Sequence, residues 1–396
     1  MSMCQLKNAK PAKIPKEITV FATFSRWKDT ALDYLYTACK FKTATLLGLE
    51  WIKKNLTYDL TKLYHEVLYK ILKNKRYGIG SGLVLEEIWK STKALDVDIR
   101  DVELGNWLMF QAMGDKDKNG NLNIRLIEPS KIEVLILDRI TDKYYRDVVK
   151  VNVPKGYKHI FEKIYELGCS KQLAYLGRIY INNYWCDYPF EEVINCEVQF
   201  SIPTKVYIDL KKKYSKNNGR LIGGIDFNDD RINLAIVDCF GKLRDTYTVF
   251  FNDVTSRGCP REVRRTKIMQ GIHEVLDYAY HHGVGVVITE DPEKLGIYKV
   301  YWIKKGKRFS RNWNYKVSVF ASRFLYDFPI HALEYSMKTY WVDPEGTTRS
   351  KLHDLIMKEY GLDRHTASAY CIVLKALGFD LNKPKIPHPG ERFVFY

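Results

Sequence analysis

LIGGIDFNDDRINLAIVDCFGKLRDTYTVFF, residues 221–251, decides the fold. It holds three apolar, alternating runs rich in β-branched residues, separated by the turn signals Asn228-Asp229-Asp230 and Gly241-Lys242. That pattern predicts three strands joined by short hairpins. Asp226 stands inside the first run, directly after Ile225. A carboxylate in a half-buried strand is costly unless it is paired or holds a metal. Asp229 and Asp230 need no such account, because turns favour Asp. For Asp226 the plain alternative is an ion pair with a neighbouring Lys or Arg.

Downstream, 260–283 reads as a helix with Pro260 near its start and Gly283 past its end. VGVVITE, 284–290, reads as a buried strand closing on Glu290-Asp291. The basic stretch 298–316 is followed by a mostly helical run that Pro329 should interrupt. TYWVDP, 339–344, reads as a strand, and KLHDLIMKEYGL and DRHTASAYCIVLKALGF read as helices. Strand, strand, strand, helix, strand, helix, strand, helix is the order of the RNase H-like fold. In that fold an acid on the first strand, an acid ending the fourth and an acid at the last helix come together. Here these are Asp226, Glu290 and Asp363.

The chemistry explains the grouping. Cutting a phosphodiester needs an activated water and a stabilised leaving oxygen, which a pair of divalent ions supplies. Magnesium (or manganese) prefers hard oxygen ligands, and clustered carboxylates without a cation repel one another. Taken singly, Glu290 and Asp291 read equally as a solvated strand end, and Asp363 as a helix N-cap. His365 lies two residues beyond Asp363, placed for proton transfer or metal ligation.

The rest of the chain is consistent with a nucleic-acid partner. Among 396 residues, 63 Lys and Arg face 47 Asp and Glu, a net charge of +16. Such an excess points to a polyanion, and the 14% aromatic content suits base stacking. Lys304, Lys305, Lys307, Arg308 and Arg311, interleaved with Trp302 and Trp313, would suit a single strand; Arg261, Arg264 and Arg265 form a second candidate patch. A solvated loop and a solvated helix face are the plain alternatives. The eight cysteines include no CxxC pair, so no structural zinc is expected. The N-terminus lacks a signal-peptide core, and no apolar run reaches membrane-spanning length, so the expected location is cytoplasmic, with the nucleoid, and no membrane partner is expected.

Residues 1–17 are polar, with Pro11 and Pro15, and are expected to be flexible. A strand-like 18–27 and the strand-rich 116–210 suggest one β-barrel-like module, with 28–115 as a helical insertion between its first and second strands. Within the insertion Asp59 should cap a helix and Gly78 should end one. Residues 211–220 read as a linker, 221–379 as the nuclease-like domain and 380–396 as an irregular tail. The fold class is α/β, α+β overall.

Four segments resemble the TnpB family of transposon-encoded RNA-guided nucleases, relatives of type V CRISPR effectors. GGIDFNDDRINLAIVD resembles its first RuvC strand and VVITEDPEKLG its second motif. YWVDPEGTTRS resembles its Val-x-Pro-x-x-Thr-Ser segment, and DRHTASAYCIVLKAL its last motif. The resemblance is good over 221–379 and weak before it. It implies a RuvC-like endonuclease with Asp226, Glu290 and Asp363 as magnesium ligands, a wedge-like barrel with a recognition insertion, and guide RNA and target DNA as partners. Two departures stand out. No cysteines fill the interval where the family carries a zinc finger, and alignment on the alanines of the last motif puts His365 in the acid's slot. The readings that remain open are a guided cutter, a guided DNA binder that no longer cuts, and a guide-free RuvC-like nuclease or transposition factor.

Overall fold

In the computed structural model of the chain, the residues described are 6–94, 97–187, 191–228, 230–251, 254, 259–294 and 323–383. They fall into two compact units, one made of 15–210 and one of 6–14 with 211–294 and 323–383. The chain opens with β1 (Ala9–Pro11), which belongs to the second unit.

In the first unit β2 (Glu17–Trp27) leads into α1 (Lys28–Asn55), α2 (Leu60–Leu63), a π-helical turn (Tyr64–Leu68), α3 (Tyr69–Leu72) and α4 (Lys75–Ala94). Then come β3 (Met109–Ala112), β4 (Ile124–Glu128), β5 (Lys131–Leu137) and β6 (Tyr144–Lys150). The unit ends with α5 (Lys158–Cys169), β7 (Leu176–Asp187), β8 (Glu191–Pro203) and α6 (Thr204–Lys211). Strands β2-β8-β7-β3 form one sheet and β4-β5-β6 another. Thr23 and Asn152 exchange both backbone hydrogen bonds, at 3.1 and 2.7 Å, and bridge the two sheets on one side. Elsewhere β7 runs so close to β4 that a Cβ on Gly177 would come 2.8 Å from Ile124. The sheets therefore meet at two places, which makes the module barrel-like.

Of the local expectations here, one holds and two change. Asp59 does cap α2, accepting the Lys62 amide at 3.1 Å. Gly78 does not end a helix. Lys73, left-handed at φ 47°, ends α3, and Gly78 lies inside α4, where its missing Cβ makes room for the Tyr64 ring. Met109–Ala112, assigned by sequence to the helical insertion, pairs with β7 as a buried strand. Within the strand-rich 116–210, one stretch divides into α5 and β7.

In the second unit β9 (Leu221–Phe227), β10 (Arg231–Val237) and β11 (Leu243–Phe250) form the expected antiparallel meander. They are followed by α7 (Arg261–His281), β12 (Val284–Glu290), α8 (Arg323–Glu334), β13 (Lys338–Val342), α9 (Lys351–Tyr360) and α10 (Arg364–Leu377). The sheet order is β1-β13-β12-β9-β10-β11, with β12 parallel to β9 and β13 parallel to β12. This is the RNase H-like arrangement. Alternation along β10 builds two cores. Ile232, Leu234 and Ile236 pack with Ile272, Leu276 and Phe328 of α7 and α8. Ala235 and Val237 pack with Ile356 and Val373 of α9 and α10. Pro329 does not break α8, which runs through it.

The N-terminal segment corrects an expectation. Ala9, Lys10 and Pro11 pair antiparallel with Val342, Trp341 and Tyr340 at the sheet edge. An edge strand tolerates a proline because half its amides bond nothing in the sheet. Lys10 holds the strand further, with Nζ 2.6 Å from the Asp291 carboxylate. No described helix is long and apolar enough to cross a membrane.

Candidate active site

The parallel register of β9 and β12 sets the centre of the site. Thr289 lies opposite Ile225, and one residue further along each strand come Glu290 and Asp226. Neighbouring strands run about 4.8 Å apart, so the two acids stand side by side. Gly224, two residues before Asp226, faces α10, and a Cβ there would overlap the Ala369 carbonyl oxygen. The glycine lets the helix lie close against the sheet. Asp226 shares that face by the two-residue period and meets α10 one turn nearer its start.

Asp226 is 5% exposed. Its Oδ2 accepts from Asn228 Nδ2 at 2.8 Å and lies 3.4 Å from His365 Nδ1. That contact raises the His365 imidazole above its ordinary range, through the Asp226 hydrogen bond and charge and against partial burial. Glu290 accepts from the Thr347 hydroxyl at 2.5 Å. Burial pushes its carboxyl up to about 7; Thr347 and Lys375 oppose this, while the charges of Asp226 and Asp343 add to it. The half-buried Glu290 carboxyl therefore keeps its proton well above the ordinary carboxylate range, and a divalent cation would favour its ionised form. Their hard oxygens fit magnesium, which binds through one or two carboxylates and keeps several waters.

Asp363 plays a different part. It is the N-cap of α10: Oδ1 accepts the His365 and Thr366 amides at 2.9 and 3.3 Å, and Oδ2 accepts the Thr366 hydroxyl. Burial works against its charge, but these bonds outweigh it and hold the carboxyl below the usual range. Thr366 in turn accepts from Asn233 Nδ2 at 3.0 Å, and Asn233 lies opposite Asp226 on β10. Asp363 is thus fixed by its own helix, and His365 is the residue of that helix facing Asp226.

Asp291 turns away from this centre to Lys10 and the Glu293 amide. Arg364, Arg349 and Lys351 line a groove of about 630 Å³ that also takes in Ser350 and His353. Of the second basic patch, Arg264 donates to the carbonyls of Val254 and Cys259, at 2.9 and 3.4 Å, and serves the fold. Arg265 sits half-buried on α7, and the Arg261 side chain lies outside the described residues. So do Trp302, Lys304, Lys305, Lys307, Arg308, Arg311 and Trp313.

The SSO2105 N-terminal domain family matches residues 17–212. An uncharacterized protein of Aeropyrum pernix is 36% identical over 372 residues, 91% of this chain and 96% of its own length. Uncharacterized protein SSO2105 of Saccharolobus solfataricus is 31% identical over 273 residues, 68% of each chain. The chain belongs to the SSO2105 family. Among solved structures, the cryo-EM structure of a Cas12f1–sgRNA–target DNA complex is similar at a TM-score of 0.49 and 10% identity, over 88% of this chain and 82% of that one.

In this SSO2105-family chain, sequence reasoning missed the residues that hold the acids: Asn228, Asn233, Thr347 and Thr366. The segment YWVDPEGTTRS carried the signal for Thr347, without the contact to Glu290 that gives it a role. Reasoning from cysteines also missed a histidine-based cluster. Among the described residues, His273, His331 and Glu334 have ligand atoms within 4.8 Å of one another; Asp226, Glu290 and Asp363 are not gathered so closely.

Proposed function

We propose that this protein is a metal-dependent, RNA-guided DNA endonuclease of TnpB type, transposon-encoded or derived from such an element. One observation carries the reading. Asp226 and Glu290 stand side by side on parallel strands, Asp226 buried and Glu290 half-buried, with Glu290 kept protonated to about 7 by burial first and by Asp226 among the charges around it. The TnpB-like motifs over 221–379 and the net charge of +16 support guide RNA and target DNA as partners.

In this reading Asp226 and Glu290 hold the divalent ions, magnesium or manganese, which when bound supply an activated water and stabilise the leaving oxygen. His365 completes the set in the place sequence gave to Asp363, either as a ligand or as the group that moves a proton at Asp226 Oδ2. Asp363 positions His365 by capping the helix that carries it. Thr347 fixes the rotamer of Glu290, and Asn228 that of Asp226. Arg349, Lys351 and Arg364 offer cations to a phosphate backbone entering beside α10.

The test is to purify the protein from its native host after nuclease-free washing and to sequence the RNA it carries. A defined RNA, and magnesium-dependent cutting of DNA matched to it that Asp226→Ala abolishes, would bear the reading out. No defined RNA would end the guided part, and undiminished cutting by the variant would end the catalytic assignment. The engagement of both Asp363 oxygens in capping favours a second reading, a guided DNA binder that does not cut. Target binding with no cleavage by the unaltered protein would select it.

A further inference from the structure

We propose that His273, His331 and Glu334 form a zinc site that clamps α7 to α8, on the face of the sheet opposite Asp226 and Glu290. His331 and Glu334 stand one turn apart at the end of α8, on one side of the helix, with Nδ1 and Oε1 3.0 Å apart. His273 reaches them from α7, its ring 5.1 Å from that of His331 and nearly perpendicular to it. The neighbours Ile272 and Ala332 belong to the core that α7 and α8 bury against the meander. The trio therefore sits at the rim of that core, with Glu334 only 4% exposed and both imidazoles half-buried.

The surrounding hydrogen bonds fix which nitrogen of His273 is free. The Tyr335 hydroxyl donates to the His273 carbonyl at 3.1 Å, and Lys213 Nζ donates to the same hydroxyl oxygen. What remains on Tyr335 is an acceptor site, and His273 Nδ1 lies 3.2 Å from it. Nδ1 then carries the proton and Nε2 keeps its lone pair. This is the outer-shell bond that orients a metal-binding imidazole.

Two imidazoles and a carboxylate suit zinc better than magnesium or calcium, which take oxygen ligands. Zinc bonds of about 2.0–2.1 Å in a tetrahedron put ligand atoms about 3.3 Å apart, so small side-chain rotations close the 4.8 Å cluster. A water fills the fourth position. The benefit to the fold is local. Pro329 removes one backbone donor from α8, and a metal bridge in the turn beyond it fastens the weakened helix to α7.

The full chain, purified without added metal and then dialysed against zinc sulfate, should retain about one zinc ion per chain by mass spectrometry of the elements. A chelator should lower the melting temperature, and zinc should restore it. His331→Ala and Glu334→Gln should lose the ion, while Asp226→Ala should keep it, which separates this site from the carboxylate pair. A folded wild-type protein that retains no zinc after dialysis would overturn the proposal, and this measurement needs no variant to fold. Retention of the full zinc content in both folded variants would overturn it too.

Discussion

His365 Nδ1 lies 3.4 Å from Asp226 Oδ2, while Asp363, two residues earlier, spends both carboxylate oxygens on its own helix. The two residues should therefore fail differently when changed. His365→Ala should lower the cleavage rate by about 10²–10⁴-fold if it moves a proton in the reaction. Asp363→Ala should cost about 1 kcal/mol of stability through the lost cap, with a smaller effect on the rate. Cleavage assays and denaturant titrations on both variants decide the matter; a larger rate loss at Asp363 would return it to the metal set.

Glu290 gives a pH dependence with a definite sign. Its folded carboxyl titrates at about 7 against an ordinary 4.5, so the folded chain holds this proton more tightly than the unfolded one. Its contribution to stability is full below 4.5 and is lost as pH rises to about 7, by roughly 3 kcal/mol in all. Magnesium should reverse the loss, because a cation favours the ionised form. Melting temperatures between pH 4.5 and 8, with and without magnesium, would measure this. Glu290→Gln should flatten the profile; an equal slope in that variant would assign it to another group.

His365 moves in the same window. Its imidazole is raised by Asp226, so its ion pair contributes below the ordinary imidazole range and fades as pH rises through the raised value. Following the imidazole by NMR should give a titration that falls in Asp226→Asn. No change in that variant would mean the contact does not form in solution.

The meander and the two strand acids were legible in sequence because each is a local pattern. Period-two alternation marks β9 and β10, and an acid breaking that alternation marks Asp226. What sequence left undecided depends on tertiary contact. Whether Asp363 or His365 faces Asp226 follows from how far α10 slides along the sheet, which Gly224 and Ala369 settle. The strand at Ala9–Pro11 escaped because three residues carry no periodicity and two prolines nearby suggested disorder. The His273 cluster escaped because its members lie on two helices and only His331 and Glu334 share a helical face.

Gly224 should be intolerant of any side chain. Alanine there would drive its methyl into the Ala369 carbonyl oxygen and against Val373, forcing α10 off the sheet. Overpacking of this kind costs about 1–3 kcal/mol. The same shift would carry His365 away from Asp226, so Gly224→Ala should lose activity at temperatures where it is still folded. Gly361, left-handed at φ 63° with open space around it, is the control: alanine there is strained but moves no helix. Equal activity in the two variants would separate helix seating from the chemistry.

The N-terminal strand should matter to the fold despite its three residues. Asp291 is 1% exposed and follows Glu290 directly, and Lys10 Nζ of β1 lies 2.6 Å from its carboxylate. Lys10→Ala leaves a buried carboxylate without that partner, which costs about 1–3 kcal/mol. Lys10→Ala with Asp291→Asn should recover much of the loss, since the amide carries no charge to compensate. Denaturation of the two single variants and the double variant gives the coupling directly. Additive losses would show that β1 is held by its backbone pairing with β13 and not by the ion pair.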